Sequence, residues 1–464
     1  MNIRIVTSAL LLSMLAGCAT YEPAPLDPVT LSSSLTGRRL NDAEIRETLN
    51  EIAPGQSWGG TYWTEAALLA CAIRYKPDLN AFRLAILAAA ADVEAARVAP
   101  GPTLSLTAEY ALNSANSSPW IASLASDLAL DRGGRRTGRI NQAEARLAQA
   151  RYEYEAALWQ TRMDIRRALD DRAAAQMRLE LLQQIETLRH RQLDSLQAQL
   201  DAGAVSRLLV EQARADASSE QRLLTEANAA MSQSLVALAM AVGVDGTAIA
   251  AHPLQAETSL ALLPASTTAR LDRTEALLRR SEILMAMMEY DRAESALQQA
   301  VAEQYPQISI GPGYSWDQGI TKLPFSLSLS FVSLDQNRAA IHAAEQGRVL
   351  AGGRLEAAVQ SVISTVEQTQ TDYEAALQLI ETVEQRSLPT ARALAEQSDA
   401  QLRAGSINRS DWAASQLGLL RAQLDLTDAN ITAVARLRDL ENALRSPLTG
   451  PFADEDTALF IQGY

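Results

Sequence analysis

RTGRINQAEARLAQARYEYEAALWQTRMDIRRALDDRAAAQMRLELLQQIETLRHRQLDSLQAQL, residues 136–200, contains no proline and is dominated by Ala, Gln, Glu, Arg and Leu. These residue types lose least on entering a helix. The composition predicts one helix over 136–200, entered from Asp131-Arg132-Gly133-Gly134-Arg135 and left through Ala198-Gln199-Leu200-Asp201-Ala202-Gly203. At ~1.5 Å per residue such a helix is a rod of roughly 100 Å, several times the width of a globular core. A rod of that length bridges a distance.

The plan around the rod returns once. Pro102-Thr103-Leu104-Ser105-Leu106 is echoed by Pro306-Gln307-Ile308-Ser309-Ile310, and Leu130-Asp131 by Leu334-Asp335, each 204 residues on. Ala198-Gln199-Leu200-Asp201-Ala202-Gly203 is echoed by Ala400-Gln401-Leu402-Arg403-Ala404-Gly405 after 202 residues. Landmarks that drift so little predict duplication of one unit. The first repeat is read as 41–243, with a β-hairpin at 102–130 and a long α-hairpin at 136–243. The second is read as 244–445, with a β-hairpin at 306–334 and a long α-hairpin at 337–445, followed by a tail, 446–464.

The hairpins show a change of period from helix to strand. Leu104, Leu106, Ala108 and Tyr110 alternate with Thr103, Ser105, Thr107 and Glu109, and a polar loop at 113–119 leads to a return strand at 120–130. In the second hairpin Ile308, Ile310, Tyr314 and Trp316 alternate with Ser309, Gly311, Gly313 and Ser315. Its return strand sets Phe325, Leu327, Leu329 and Phe331 against Ser326, Ser328 and Ser330. One apolar face and one small, polar face over about ten residues suits a strand between lipid and a wet lumen; a sheet lying on the helices shows the same pattern. Four strands cannot close a barrel, and an open edge cannot face hydrocarbon. The subunits of an oligomer must then share one barrel, and a trimer is the smallest assembly with an aqueous passage.

Before the first hairpin, short helices are expected at 41–53 and 64–74, and Pro77 opens a longer one that ends before Pro100. Beyond the second, Leu355, Val359, Val362, Val366, Thr369, Tyr373, Ala376, Ile380 and Val383 follow a three-four spacing. Trp412, Leu419, Leu426, Ala433 and Leu440 recur every seven residues, with Leu417, Leu424 and Ile431 one step round. Two adjacent seams let a helix touch neighbours on both sides, as in a ring of helices. An antiparallel coiled coil is the plainer alternative.

Composition excludes some partners and chemistries. Of 464 residues 47% are apolar but only 5% aromatic, the balance of closely packed Ala- and Leu-rich helices. A formal charge of -14 argues against nucleic acid. His190, His252 and His342 lie far apart without ligand spacing, so neither a metal site nor a cofactor is expected. No catalytic grouping is visible either, and an enzyme is not expected. Residues 1–17 read as a secretory signal peptide too short to span a bilayer, and Leu15-Ala16-Gly17-Cys18 looks like a bacterial lipobox, implying cleavage before Cys18 and its lipidation. Residues 18–40 would then form a lipidated tether, proline-rich at its start. With Cys18 lipidated, Cys71 has no disulfide partner and reads as buried filler in an amphipathic helix.

Together the lipobox, the twice-repeated order of helix, β-hairpin and long α-hairpin, the Pro-x-Leu/Ile-Ser-Leu/Ile openings and the Ala-Gln-Leu-x-Ala-Gly turns resemble the TolC-like outer-membrane factors. Lys76-Pro77-Asp78-Leu79 comes close to a family motif opening the first repeat, whereas the Arg-x-Asp-x-x-x-Glu at 270–276 departs from it. The resemblance implies a mainly α fold with a β-barrel part: a homotrimer with a 12-stranded barrel in the bacterial outer membrane, lipid-anchored, continued by a 12-helix tube across the periplasm. It implies the exit duct of a tripartite efflux system, with a periplasmic adaptor and an inner-membrane pump of the RND type; the exit duct of a type I protein secretion system is the alternative. Residues 131–140 and 334–338 resemble the CzcC-like heavy-metal branch. By the same resemblance Leu200, Ala202, Gly203, Val205, Leu402, Ala404, Gly405 and Ile407 lie at adaptor-contact tips, and Asp411 at a pore constriction. The second family acid is replaced by Ala414. A structural lipoprotein with a periplasmic coiled coil and no channel is the third class, and it leaves the amphipathic hairpins without a use.

Overall fold

The computed structural model describes residues 21–38, 40–54, 56, 58–99, 101–112, 119–130, 134–254, 263, 277, 280–331 and 333–452. It divides into two compact units, 1–40 and 41–464. In the first, within the stretch read from sequence as a tether, α1 (Pro28–Thr36) is helical: Asp27 accepts hydrogen bonds from the backbone N–H groups of Val29 and Thr30, and Pro28 opens the turn.

The larger unit begins with α2 (Asp42–Ile52), α3 (Glu65–Tyr75) and α4 (Pro77–Arg97). Thr64 caps α3, whose residues from Glu65 to Ala72 are all buried; α4 starts on Pro77, where a missing N–H costs nothing. After β1 (Thr103–Tyr110) and β2 (Trp120–Leu130), α5 (Arg135–Asp201) runs unbroken for 67 residues, and α6 (Arg207–Val242) returns beside it. A short α7 (Gly246–Ala250) follows, with Trp63 donating its indole N–H to the Ile249 carbonyl at 3.0 Å. Then come α8 (Ser281–Ala302), β3 (Gln307–Asp317), β4 (Ile320–Lys322) and β5 (Phe325–Ser330). The second long run is α9 (Leu334–Thr382), a π-helical turn at Val383–Ser387 and α10 (Leu388–Arg403), and α11 (Arg409–Leu444) returns along it.

All three apolar seams read from the sequence face inward. All nine positions from Leu355 to Val383 are buried or half-buried, as are both seams of α11. Leu182, Ile185 and Leu188 of α5 pack with Ala227 of α6 and Ala413 and Leu417 of α11, so α11 does touch helices on two sides. Tyr373 of α9 meets Leu437, Leu440 and Leu444.

The strands form one antiparallel sheet in the order β1-β2-β3-β5, with β4 paired to the far end of β3. Register sets the apolar faces of the strands against one another, with Ser126 opposite Leu104 as the exception: Leu106 against Leu124, Leu124 against Tyr314, Leu128 against Ile310, Ile310 against Leu327. Directly paired residues share a face, so one side of the whole sheet is apolar, and a slip of one residue would mix the two sides. The other side carries Thr103, Ser105, Thr107, Ser309, Gly311, Ser326 and Ser328. Gly311 is required there, since a Cβ would sit 2.1 Å from Ser326 Oγ and 2.7 Å from the Ser126 carbonyl. The return strand of the second hairpin, read from sequence as continuous from 325, starts earlier as β4, after a tight turn with positive φ at Gln318 and Gly319.

Candidate functional site

The two far turns share one set of hydrogen bonds. At the first, the N–H groups of Ala202, Gly203 and Ala204 donate to the carbonyls of Ala198, Leu200 and Gln199; at the second, those of Ala404, Gly405 and Ser406 donate to Ala400, Leu402 and Gln401. Gly203 at φ +73° and Gly405 at φ +69° supply the left-handed residue each turn needs. Ser206 and Asn408 then cap the returning helices. Of the expected tip residues, Ala202, Gly203, Ala404 and Gly405 are exposed, while Leu200, Val205, Leu402 and Ile407 are half-buried. Leu200 and Val205 pack toward Leu196, Val210 and Ala213 and hold the turn from within. The apolar side chains that do reach solvent here are Leu208, 68% exposed, and Leu209, 42% exposed, which the sequence reading passed over.

Asp411 stands in the first turn of α11, its backbone N–H donating to Asn408 Oδ1 at 2.9 Å and its side chain exposed. A carboxylate there is favoured by the helix dipole. A nearby acid went unnoticed in the sequence: Asp399 of α10 accepts from Trp412 Nε1 at 2.5 Å and from Gln416 Nε2 at 3.1 Å, tying α10 to α11. The two hairpins are tied as well. Arg189 of α5 lies 3.4 Å from Asp216 and 3.6 Å from Glu220 of α6, and Glu220 also meets Arg421 of α11 at 2.8 Å.

Further from the turns lies a buried charge network that sequence reasoning did not find. Glu65 of α3 faces Arg162 at 3.2 Å and Arg166 at 2.6 Å. Asp170 joins Arg166 at 3.6 Å to Arg438 of α11 at 2.9 Å. Arg162 lies between the rings of Trp159 and Phe452, 5.3 Å from each centroid. Glu441 accepts from the N–H groups of Leu448 and Thr449, both at 2.8 Å, and burial raises its pKa against the pull of Arg162 and Arg166. In the first turn of α8, burial pushes Glu282 upward, yet the Arg445 guanidinium, with hydrogen bonds from Arg280 and Arg445, outweighs this and holds it down to about 2. The spacing of Arg162, Arg166 and Asp170 on one helical face was the only sequence-level sign of this network.

Cys71 is buried, its thiol pushed up to about 12 by desolvation. Among the described residues no group of three His, Cys, Asp or Glu side chains is placed to hold a metal, and no helix is long and apolar enough to cross a membrane. Cys18, the signal peptide, Asp131, Arg132 and Gly133, and the 270–276 segment lie outside the described residues. Lys76 is described: its ammonium donates to Thr161 Oγ1 at 3.1 Å, and Gly243, at φ +77°, leaves no space for a Cβ beside the Lys76 backbone.

Residues 68–244 and 273–444 match the family model described as outer membrane efflux protein. The chain belongs to that family. Its members are outer-membrane efflux channels and not enzymes, and the TolC-like resemblance of the sequence is thereby established. No curated protein sequence matches significantly. Among solved structures, this outer membrane efflux protein is similar to a membrane protein from Pseudomonas aeruginosa, with 21% identity, a TM-score of 0.68, and 84% of this chain and 95% of that one covered. CusC, described as forming a transmembrane channel, gives 18% identity, a TM-score of 0.68 and coverage of 85% and 95%. The outer membrane protein VceC from Vibrio cholerae gives 19%, 0.67, and 82% and 95%. At these identities the likeness concerns the fold.

Proposed function

We propose that three copies of this efflux-family chain form a continuous duct, a shared 12-stranded β-barrel in the outer membrane joined to a 12-helix tube in the periplasm, and that it is the passive exit for small solutes or metal cations. The observation that carries this reading is the state of the sheet. Every residue of β1 and β5 is exposed, Leu106 at 79% among them, and among the described residues both outer strands leave an edge unpaired. Water would not leave so large an apolar face uncovered, and lipid would not tolerate the open edges. Joining β1 of one copy to β5 of the next answers both demands, with Thr, Ser and Gly lining the lumen.

Aromatic side chains support a membrane boundary at the end of the sheet away from the helices. Tyr110 and Trp120 pack edge to face at 5.0 Å, and on the same face Trp316 lies opposite Ala122, two residues further in, so that three aromatic rings gather near this end as in an interfacial belt. The matching hydrogen bonds of the two far turns support the two-fold repeat, with units 41–243 and 244–445. Lipidation of Cys18 would anchor the N-terminus to the same membrane. The tips would meet a periplasmic adaptor, itself bound to an inner-membrane pump of the RND type, through Ala202, Gly203, Ala404, Gly405 and the exposed Leu208. Cysteines placed one on β1 and one on β5 should crosslink between copies into a trimer, and the purified protein should open single channels in a planar bilayer. A protein that crosslinks only within one copy, or never conducts, would overturn the reading.

A further inference from the structure

The start of α5 runs against helix electrostatics. Its N-cap is Gly134 at φ +78°, no side chain among the described residues caps it, and its first five residues include Arg135, Arg136 and Arg139 with no acid in the first turn. Every other described helix of eight residues or more begins with a capping side chain, a proline or a first-turn acid. Cations at a helix N-terminus add to its positive end rather than offset it. Within the described chain this concentration of positive charge is left without a matching anion. Arg136 and Arg139 are exposed, and the Nε of Arg135 is buried with no hydrogen-bond partner among the described residues.

Position supplies the second observation. Arg135 Nη2 donates to the Tyr305 carbonyl at 3.1 Å, two residues before β3, and Arg136 Nη2 to the Arg97 carbonyl at 2.5 Å, at the end of the helix leading to β1. Arg135 itself follows the last residue of β2 by five positions, and exposed Arg338 opens α9 shortly after β5. The arginines therefore ring the helical end of the sheet, where its apolar face finishes at Leu130, Ile308, Leu329 and the 72%-exposed Phe331. Nearby Arg97 is already committed to Glu94 and Glu144.

We propose that this arginine collar binds the anionic headgroups of glycerophospholipids in the leaflet nearest the helices, Arg136 and Arg139 holding phosphate oxygens while the acyl chains lie on the apolar strand face. The proposal rests on the membrane reading of the sheet. Guanidinium groups match phosphate in geometry and charge, and basic side chains at the edge of an apolar span concentrate anionic lipid. Three copies repeat the collar around the barrel.

Native mass spectrometry of the trimer in mixed phosphatidylcholine and phosphatidylglycerol micelles tests it. Phosphatidylglycerol should be retained in preference, by about thirtyfold, since Arg136 and Arg139 of each copy each add about a fivefold preference. The preference should fall to near parity in Arg136→Gln/Arg139→Gln, survive in Arg136→Lys/Arg139→Lys, and be unchanged in Arg214→Gln/Arg222→Gln on α6. Equal retention of both lipids by the wild type, or displacement of phosphatidylglycerol by excess inorganic phosphate, would overturn the proposal, the latter leaving a free-anion site. Conductance separates the two layers. A wild type that conducts without lipid preference sinks only the collar, and one that never conducts in either lipid sinks the membrane reading with it.

Discussion

Glu65 answers two guanidiniums, Arg162 and Arg166, from a helix about a hundred residues away, and all three side chains are nearly closed to water. Removing one member of such a set leaves an uncompensated buried charge, so Glu65→Gln should cost about 3–5 kcal/mol, read as a lowered denaturation midpoint of the detergent-solubilised protein. A loss within the error of the midpoint would mean that water reaches the network. Glu282 gives the pH dependence. Its folded pKa, about 2, lies below the ordinary 4.5, so it favours the fold fully above pH 4.5, and that contribution is lost as pH falls toward 2. Glu441 works in the opposite sense, its raised pKa favouring the fold at low pH and losing that effect as pH rises through it. Melting temperatures at pH 5 and pH 2.5 should therefore differ less in Glu282→Gln than in the wild type. Burial of Cys71 was legible because Ala and Leu flank it on the apolar side of an amphipathic helix. The pairing of Glu65 was not, because its partners are set by how α3 lies on α5, and no local pattern encodes that.

Among elements, periodicity read best where a helix has one covered stripe. The seams from Leu355 to Val383 and from Trp412 to Leu440 came out inward-facing at every position. The break at Val383–Ser387 escaped notice, although Pro389 announces it: a proline there cannot donate to the carbonyl one turn back, and a π turn accommodates the missing bond. Helix α1 was missed as well, its Asp27-Pro28 start hidden in a proline-rich stretch. Glycines at the helix ends give a graded prediction. A Cβ at Gly203 or Gly405 meets open space, so alanine there pays only for a left-handed backbone, about 1–2 kcal/mol. Gly243→Ala meets in addition the Lys76 Cα at 2.8 Å and should destabilise more than either. Thermal melts of the three variants should rank in that order, and a Gly243→Ala protein as stable as Gly203→Ala would show that α4 is free to move away from α6.

For the whole molecule, alternation within each hairpin was visible in the sequence, whereas the pairing of β2 with β3, separated by a long helical excursion, became apparent only with the fold. That pairing makes one apolar face out of four strands and directs the assembly reading. If three copies close around an axis, Asp411 occurs three times at one level, exposed and in the first turn of each α11. Ala414 supplies no second acid on α11, and the nearby Asp399 is half-buried and held by Trp412 and Gln416, so Asp411 is the exposed carboxylate of this pair. Asp411→Asn keeps the size of the side chain and its place near Asn408 while removing three charges from the trimer. In dilute salt the ratio of cation to anion permeability, from the reversal potential, should then fall by about twofold or more, since charges a few ångströms from an ion's path act within a Debye length of about 10 Å at 0.1 M. At 1 M, where that length is about 3 Å, wild type and variant should converge. The rest of the chain keeps its acidic balance, so some cation preference should survive the substitution. Identical reversal potentials at low salt would put Asp411 on the outer surface of the tube and remove it from the constriction.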